Sequence, residues 1–281
     1  MDLQAEINRL FAGQRTDWEQ LNDSISQLDL LRERDFAWGD SFRVKLQFNP
    51  ARILSTAAPI SREAIENRPC FLCEANRPAR QKGIRFTDKY TILCNPYPIL
   101  RNHLTIPLHS HVPQRIRRKT DDMLALAELL PDYLIFYNGP RCGASAPDHF
   151  HLQAGLKEPL LMQGDNELRT CLRIESESRN GALALFEDIY CYLRHLQPEE
   201  EEPMMNVIAF TQEGAGYILH IFPRRAHRPG HYRGRGEKQL LISPGALDMA
   251  GLMICVREED FEKIGKQDIE DIYSQVSMPV I

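Results

Sequence analysis

The sequence predicts an α+β fold in which a helical segment precedes two similar series of strands, loops and a helix. Residues 3–33 carry apolar side chains at helical spacing, short strand-like runs dominate residues 69–155, and the strand pattern resumes after residue 203. With 281 residues, 43% of them hydrophobic, the chain can bury a core without disulfides. We therefore expect three regions: residues 1–40, 41–165 and 166–281.

Local periodicity predicts the elements of the first two regions. Apolar positions from Leu3 to Leu31 indicate two amphipathic helices, and Ser41 to Phe48 alternates as a strand. A loop of small residues from Asn138 to Asp148 leads into the last strand of this half. The remaining predictions are a helix at Thr120–Leu130 and strands at Tyr90–Cys94, Leu104–Pro107, Tyr133–Tyr137 and His149–Ala154.

The third region repeats the same kinds of element. Gly181 to Leu196 is predicted as an amphipathic helix, and the run Glu199–Glu202 as an exposed acidic connector. Asn206–Thr211 and Tyr217–Phe222 flank a glycine-rich turn, which indicates a hairpin. The charged residues from Arg257 to Val276 predict a closing helix.

Charge and composition exclude several classes of protein. A formal net charge of −5 argues against binding nucleic acid with the whole surface, although a local basic pocket for one nucleotide remains compatible. No apolar run approaches the ~20 residues that cross a bilayer, and the N-terminus lacks the features of a signal peptide. Seven cysteines, an odd number, fit a reducing compartment. We expect a cytoplasmic protein with no membrane partner.

The segment from His149 to Gln153 carries the residues best suited to chemistry. His149, His151 and Gln153 alternate with apolar residues, so a strand would place them on one face. The preceding loop contains Gly143 and Ser145, whose backbone and hydroxyl groups can approach an anion. A neutral imidazole beside such a loop is a good nucleophile for phosphorus near pH 7. The alternative is a pair of histidines with a purely structural role.

Cys70 and Cys73 have the spacing of two ligands in a metal site. This spacing alone is weak evidence, because a redox motif or coincidence would give the same pattern. The absence of a following βαβ pattern argues against a thioredoxin-like centre. A tetrahedral zinc ion needs two further ligands. We expect these to be His149 and one of three nearby histidines, namely His103, His109 or His111.

Several cations stand near predicted strand ends. Arg52 follows the strand that ends at Phe48, and its planar guanidinium could pair with a phosphate. Arg224, Arg225 and His227 form a basic segment in an acidic protein, which could balance the charge of a polyphosphate. The alternative for both is an ordinary surface or loop residue.

These motifs, in this order, resemble the histidine-triad superfamily. The stretch Gly-Ala-Ser-Ala-Pro-Asp-His-Phe-His-Leu-Gln is most similar to the transferase branch, which includes galactose-1-phosphate uridylyltransferase, diadenosine tetraphosphate phosphorylase and GDP-L-galactose phosphorylase. The resemblance implies two histidine-triad-like halves with antiparallel sheets and flanking helices, and residues 1–40 then form an N-terminal helical extension. It also implies that His151 becomes nucleotidylated and that Gln153 binds a phosphoryl oxygen.

The resemblance extends to binding residues and a metal. It implies a structural zinc ion that anchors the strand of the nucleophile and does not activate water. The four implied ligands are Cys70, Cys73, His111 and His149, and His109 is the alternative to His111. It further implies that substrate contacts come from the loop and the cations: Arg52, Asn138, Gly143, Ala144, Ser145, Arg224, Arg225 and His227. The segment from Ser243 to Gly251 resembles a region of the GDP-hexose phosphorylases and implies a sugar or acceptor contact.

The expected function is therefore nucleotidyl transfer. The substrate would be a nucleoside diphosphate sugar or a dinucleoside polyphosphate, and the acceptor phosphate or a sugar phosphate. A hydrolase of dinucleoside polyphosphates and a nucleotide-binding module without turnover are the alternatives. Relatives commonly form homodimers, so the same arrangement is expected here.

Overall fold

The computed structural model describes residues 2–40, 42–57, 61–164 and 167–280. Its helices are α1 Leu3–Asp17, α2 Glu19–Gln27, α3 Ile53–Thr56, α4 Arg62–Glu66, α5 Thr120–Leu129, α6 Arg179–Leu196, α7 Ala246–Ala250, α8 Glu258–Lys263 and α9 Lys266–Val276. Its strands are β1 Arg32–Trp38, β2 Phe42–Phe48, β3 Gly83–Phe86, β4 Tyr90–Cys94, β5 Leu104–Pro107, β6 Tyr133–Asn138, β7 His151–Leu156, β8 Leu172–Ser176, β9 Met205–Gln212, β10 Gly216–Pro223 and β11 Leu252–Cys255. Within these ranges, no helix is long and apolar enough to cross a membrane.

One antiparallel sheet joins the two halves. Its eight strands follow the order β3-β4-β5-β7-β6-β9-β10-β8, and the junction is the pairing of β6 with β9. A second sheet contains β1, β2 and β11, with β11 parallel to β2. Antiparallel sheets with flanking helices confirm the predicted α+β class. Ser41, where the second predicted strand begins, lies outside the described residues, as does the predicted boundary at residues 165 and 166.

The large sheet separates two hydrophobic cores because side chains alternate along its strands. On β6, Tyr133, Ile135 and Tyr137 enter the core beneath α1, α2, α5 and α6. Leu134 and Phe136 enter the opposite core, with the small sheet and α7 to α9. Phe150 and Leu152 belong to the first core and are fully buried, as the alternation next to His151 predicts.

Four local predictions are wrong. Residues 32–38 form β1 rather than part of a helical extension, because their half-exposed alternation pairs them with β2. Strand β7 begins at His151 instead of His149, whose N–H closes a turn onto Ala146. The closing helix is interrupted after α8, and a new helix begins where the N–H of Gly265 donates to the capping carboxylate of Asp268 over 2.8 Å. Glu202 is buried, unlike the three glutamates that precede it.

Three buried histidines should make the fold sensitive to acid. Burial lowers the pKa of His103 to about 3, of His220 to about 4 and of His227 to about 3, from 6.5. Below pH 6.5 the unfolded chain binds protons that the folded chain does not, so the free energy of unfolding falls as the pH falls. Burial raises the pKa of Glu202 and Asp248 to about 6. The folded chain therefore binds protons at these two carboxyls more readily than the unfolded chain does, which stabilises the fold as the pH falls and offsets part of the loss.

We therefore expect the Tm to fall between pH 7 and pH 5, as measured by differential scanning calorimetry. His220→Phe should reduce that fall, because the ring of His220 is 1% exposed and packs against Phe210 and Phe222. The exposed His195, replaced in the same way, is the control. An identical pH dependence in the wild type and His220→Phe would contradict the assignment.

Candidate active site

His151 lies at the first position of β7, with its ring at a pocket. Nδ1 of His151 donates to the carbonyl of His149 over 2.9 Å. This bond places the ring proton on Nδ1 and leaves the lone pair on Nε2. Burial lowers the pKa of His151 to about 4, so the imidazole is neutral near pH 7. A neutral ring with a defined tautomer is the form that can act as a nucleophile.

A second histidine fixes the orientation of Gln153. The backbone N–H of Ile99 donates to Nδ1 of His103 over 3.1 Å, so the proton of the neutral His103 ring lies on Nε2. Nε2 of His103 then donates to Oε1 of Gln153 over 3.0 Å. The NH₂ group of Gln153 therefore remains as a hydrogen-bond donor at the pocket that this side chain lines.

The loop before β7 is held from both sides. Nδ2 of Asn206 donates to Oδ1 of Asn138 over 2.9 Å and to the carbonyl of Cys142 over 2.6 Å. On the other side, Arg68 donates to the carbonyl of Ser145 over 3.1 Å. Asn138, Gly143 and Ser145 line the pocket, and Ala144 is buried behind it. The loop is thus a rigid wall rather than a mobile connection.

Gly143 is a position in this loop where a side chain does not fit. Its φ is +93°, and a Cβ there would stand 2.8 Å from the Cα of Gly245 in the second half. We expect Gly143→Ala to lower the free energy of unfolding by about 1–3 kcal/mol, because it adds backbone strain to a close contact. Chemical denaturation measures the effect. Gly164→Ala is the matched control, since nothing lies within 4 Å of its Cβ position, and equal losses in both variants would contradict this reading.

Two cysteines and two histidines meet beside the loop. The ligand atoms of Cys70, Cys73, His111 and His149 all lie within 4.8 Å of one another. Nδ1 of His149 is 3.3 Å from Sγ of Cys70 and 3.6 Å from Sγ of Cys73. Sγ of Cys73 is 3.2 Å from Nδ1 of His111. Bonds of ~2.0–2.3 Å to a tetrahedral zinc ion would separate such atoms by about 3.5 Å, so this set fits zinc.

The remaining ring nitrogens of the cluster already have partners. Nε2 of His149 donates to the carbonyl of Leu108 over 2.7 Å, and Nε2 of His111 lies 3.4 Å from the carboxylate of Asp148. Such outer partners fix the other nitrogen as the ligand. His109 instead bonds Thr91 and the carbonyl of Asp88, each at 3.0 Å. The structure therefore brings His111, and not its rival, to the cluster.

The central pocket is a cavity of about 410 Å³ with a mixed lining. Phe71, Leu72 and Tyr97 contribute apolar surface, whereas His151 and Gln153 contribute polar groups. A smaller adjoining recess of about 50 Å³ is lined by Ser243 to Asp248 of the second half. The pocket and the recess share four lining residues: Arg52, Asn138, Gly143 and Gln153.

Four predicted binding residues do not line this pocket or the recess, namely Ala144, Arg224, Arg225 and His227. Arg224 is fully buried, and its guanidinium donates to Oδ1 of Asn206 over 2.6 Å and to the carbonyl of Pro244 over 2.9 Å. It supports the loop through Asn206 instead of contacting a ligand. Arg225 is exposed and bonds the carbonyls at the end of α9, and the ring of His227 contacts the backbone of Arg141.

Other pocket residues were not predicted from the sequence. Trp18 and Gln20 reach the pocket from the N-terminal helices, and Gln20 donates to the hydroxyl of Tyr97 over 3.3 Å. No local pattern distinguishes these two residues from ordinary helix positions. His103 was considered only as a metal ligand, although it follows the turn at Asn95 to Pro98 that frames the pocket.

The fold is similar to that of yeast Ap4A phosphorylase Apa2. The complex of that enzyme with AMP has a TM-score of 0.56 and 16% identity, covering 93% of this chain and 96% of the other. A second structure of that enzyme gives 0.57 and 16%, and the complex with Ap4A gives 0.56 and 14%, each covering 93% of this chain and 97% of the other. At such identities the likeness establishes the fold. No curated protein sequence matches the chain.

This similarity is to a diadenosine tetraphosphate phosphorylase, one of the enzymes whose motifs the sequence resembles. The chain belongs to the family described as "Domain of unknown function (DUF4922)", whose model matches residues 10–156. That segment contains His151, Gln153 and the whole cysteine–histidine cluster. The description of the family assigns no activity, so function has to be inferred from the site.

Proposed function

We propose that the chain is a nucleotidyltransferase of the phosphorylase type, acting on dinucleoside polyphosphates through a nucleotidyl-His151 intermediate. The observation that supports this proposal most directly is the imidazole of His151. This ring is neutral, has its proton held on Nδ1 by the carbonyl of His149, and lies at a pocket. The similar yeast enzyme has been solved with AMP and with Ap4A, which supports this class of substrate.

The reaction takes place in two displacements. Nε2 of His151 attacks the α-phosphorus, the N–P bond forms, and the P–O bond to the leaving polyphosphate breaks with its electron pair on oxygen. The Nδ1 proton stays on the ring, and the carbonyl of His149 stabilises the resulting cation. An oxygen of inorganic phosphate then attacks phosphorus, the N–P bond breaks, and the neutral ring returns. From Ap4A the products are ATP and ADP.

The neighbouring groups position and neutralise charge rather than transfer protons. The NH₂ group of Gln153 can donate to a phosphoryl oxygen, since Oε1 is occupied by His103. An amide cannot supply a proton to a leaving group or activate water, which favours a phosphate acceptor over hydrolysis. Arg52 lines both the pocket and the recess. Among the described residues that line them it is the one arginine or lysine, and its guanidinium would face the phosphates.

The lining of the pocket suits the two parts of the substrate. The apolar side chains of Trp18, Phe71 and Leu72 suit a flat nucleobase, because aromatic and aliphatic surfaces bind bases by stacking and burial. The leaving group would extend into the recess formed with residues 243–248. A nucleoside diphosphate sugar fits the same division, with the sugar at the recess.

We propose zinc as the ion held by Cys70, Cys73, His111 and His149. The ion would anchor the start of β7, because His149 lies two residues from the nucleophile. Bound zinc supplies a cross-link that also favours deprotonated thiols. Burial and the neighbouring Cys70 raise the pKa of Cys73, which makes an unmetallated pair of thiolates unfavourable.

The test is a substrate panel of Ap4A, other dinucleoside polyphosphates and nucleoside diphosphate sugars, with and without phosphate or a sugar phosphate. We expect ADP and ATP from Ap4A only when phosphate is present, measured by chromatography. Products that form equally without phosphate would indicate a hydrolase instead. Tight nucleotide binding without any turnover would indicate a binding module and overturn the proposal.

A further inference from the structure

Gln114 occupies the gap where strands β6 and β7 separate. The paired residues of these strands end with Phe136 opposite Gln153. Beyond that point Nε2 of Gln114 donates to the carbonyls of Asn138 and His151, each over 3.0 Å, while Oε1 accepts from the N–H of His151 over 2.8 Å. The side chain is fully buried. The side-chain amide of Gln114 therefore takes the place of a strand residue in the hydrogen bonding between β6 and the backbone of His151.

His151 has few other means of being held. Its partner on the opposite neighbouring strand β5 is Pro107, but the N–H and the carbonyl of His151 point the other way, toward the β6 side, where the strand pairing has already ended. Both hydrogen-bonding groups of the His151 backbone therefore bind the same side chain. Since the ring is attached to this backbone, the amide of Gln114 determines where Nε2 stands relative to the pocket.

Gln114 is itself fixed by its surroundings. Its N–H donates to the carbonyl of Pro147 over 3.0 Å, and its carbonyl lies 3.0 Å from the hydroxyl of Tyr137. The single proton of that hydroxyl is shared between this carbonyl and the buried carboxylate of Glu202, which also accepts from the N–H of Ile116 over 2.6 Å. Hydrogen bonds therefore connect Glu202, in the acidic connector of the second half, to Gln114 and through it to the nucleophile of the first half.

We propose that Gln114 is a positioning residue for nucleotidyl transfer, a role that rests on the proposed function. It does not line the pocket and acts through the backbone of His151. Displacing a reacting atom by ~1 Å costs about 100-fold in rate, so loss of the clamp should affect the chemical step more than substrate binding. Gln114→Met keeps the length of the side chain and removes the donor and the acceptor.

The chain offers a matched control in Gln163. Its Oε1 accepts from the N–H of Arg43 over 2.7 Å, and its Nε2 donates to the carbonyl of the same residue over 2.9 Å. The pattern is the same, but it holds β2 and not the site. Tyr137→Phe is a second test variant, because it removes one support of Gln114 without touching the amide.

The experiment measures single-turnover nucleotidylation by Ap4A together with the Kd for AMP. We expect Gln114→Met to slow nucleotidylation about 10- to 100-fold with the Kd for AMP within about twofold, Tyr137→Phe to show a smaller loss, and Gln163→Met to react like the wild type. An unchanged rate in Gln114→Met, or an equal loss in Gln163→Met, would overturn the proposal.

A readout independent of turnover separates this proposal from the proposed function. The Nδ1 proton of His151, bonded to the carbonyl of His149, should give a downfield NMR signal that is absent in His151→Ala. We expect that signal to broaden or shift in Gln114→Met and to persist in Gln163→Met. If the wild type forms no nucleotidyl-enzyme, the proposed function fails, and the signal still decides whether Gln114 positions the ring.

Discussion

His151→Ala should reduce kcat for phosphorolysis of Ap4A by about 10⁴-fold or more, because it removes the atom that forms the covalent bond. The variant should remain folded. The ring of His151 contributes one hydrogen bond, to the carbonyl of His149, while the strand itself is held through backbone bonds that alanine retains. Steady-state kinetics and circular dichroism measure the two properties.

The control for this variant is His109→Ala. The ring of His109 bonds Thr91 and Asp88 away from the pocket, so its loss should leave kcat within about threefold of the wild type. A folded His151→Ala protein with near-normal activity would rule out the covalent mechanism. A loss of activity shared equally by the two variants would point to general instability.

Cys70→Ser should remove zinc and lower the Tm by on the order of 10 °C. Binding of a structural zinc ion contributes to folding directly, and loss of several kcal/mol shifts the Tm of a chain of this size by this amount. Cys70 is buried with Leu72 and Ala146 in a small cluster beside the loop, so the effect should spread to the start of β7. Metal analysis and calorimetry measure the result.

Cys191→Ser is the matched control, because this cysteine is exposed on α6 and lies outside the cluster. It should keep the zinc content and the Tm of the wild type. Protein purified without chelators that contains no zinc, with equal Tm values for Cys70→Ser and the wild type, would contradict the structural role of the metal.

Local periodicity was sufficient to predict the longer helices and six of the eight strands of the large sheet, whereas the short strands β3 and β8 were not predicted. Strands β4, β5 and β6 match their predicted spans closely, because each combines buried alternation with clear turns. Strands β1 and β11 were missed for a different reason. β1 carries charged residues on a half-exposed edge, and β11 is defined by parallel pairing with β2 across some two hundred residues of sequence, which no local pattern encodes.

The residues of the site also fall into those that the sequence could predict and those that it could not. The sequence was sufficient to single out His151, Gln153 and the four residues of the cysteine–histidine cluster, because their residue types carry chemistry that few other roles require. Arg224 was assigned wrongly to the substrate, since a buried arginine that donates only to neutral acceptors has the same sequence appearance as a phosphate ligand. Gln114 and Trp18 could not be found at all. Their roles depend on long-range packing against β7 and the pocket.

The most direct test of the account is to trap the intermediate. Wild-type protein incubated with Ap4A in the absence of phosphate should gain the mass of one adenylyl group, measured by mass spectrometry of the intact chain. Peptide mapping should place the group on His151, and added phosphate should release it as ADP. Consumption of Ap4A without any adduct, or an adduct on another residue, would contradict the proposed mechanism.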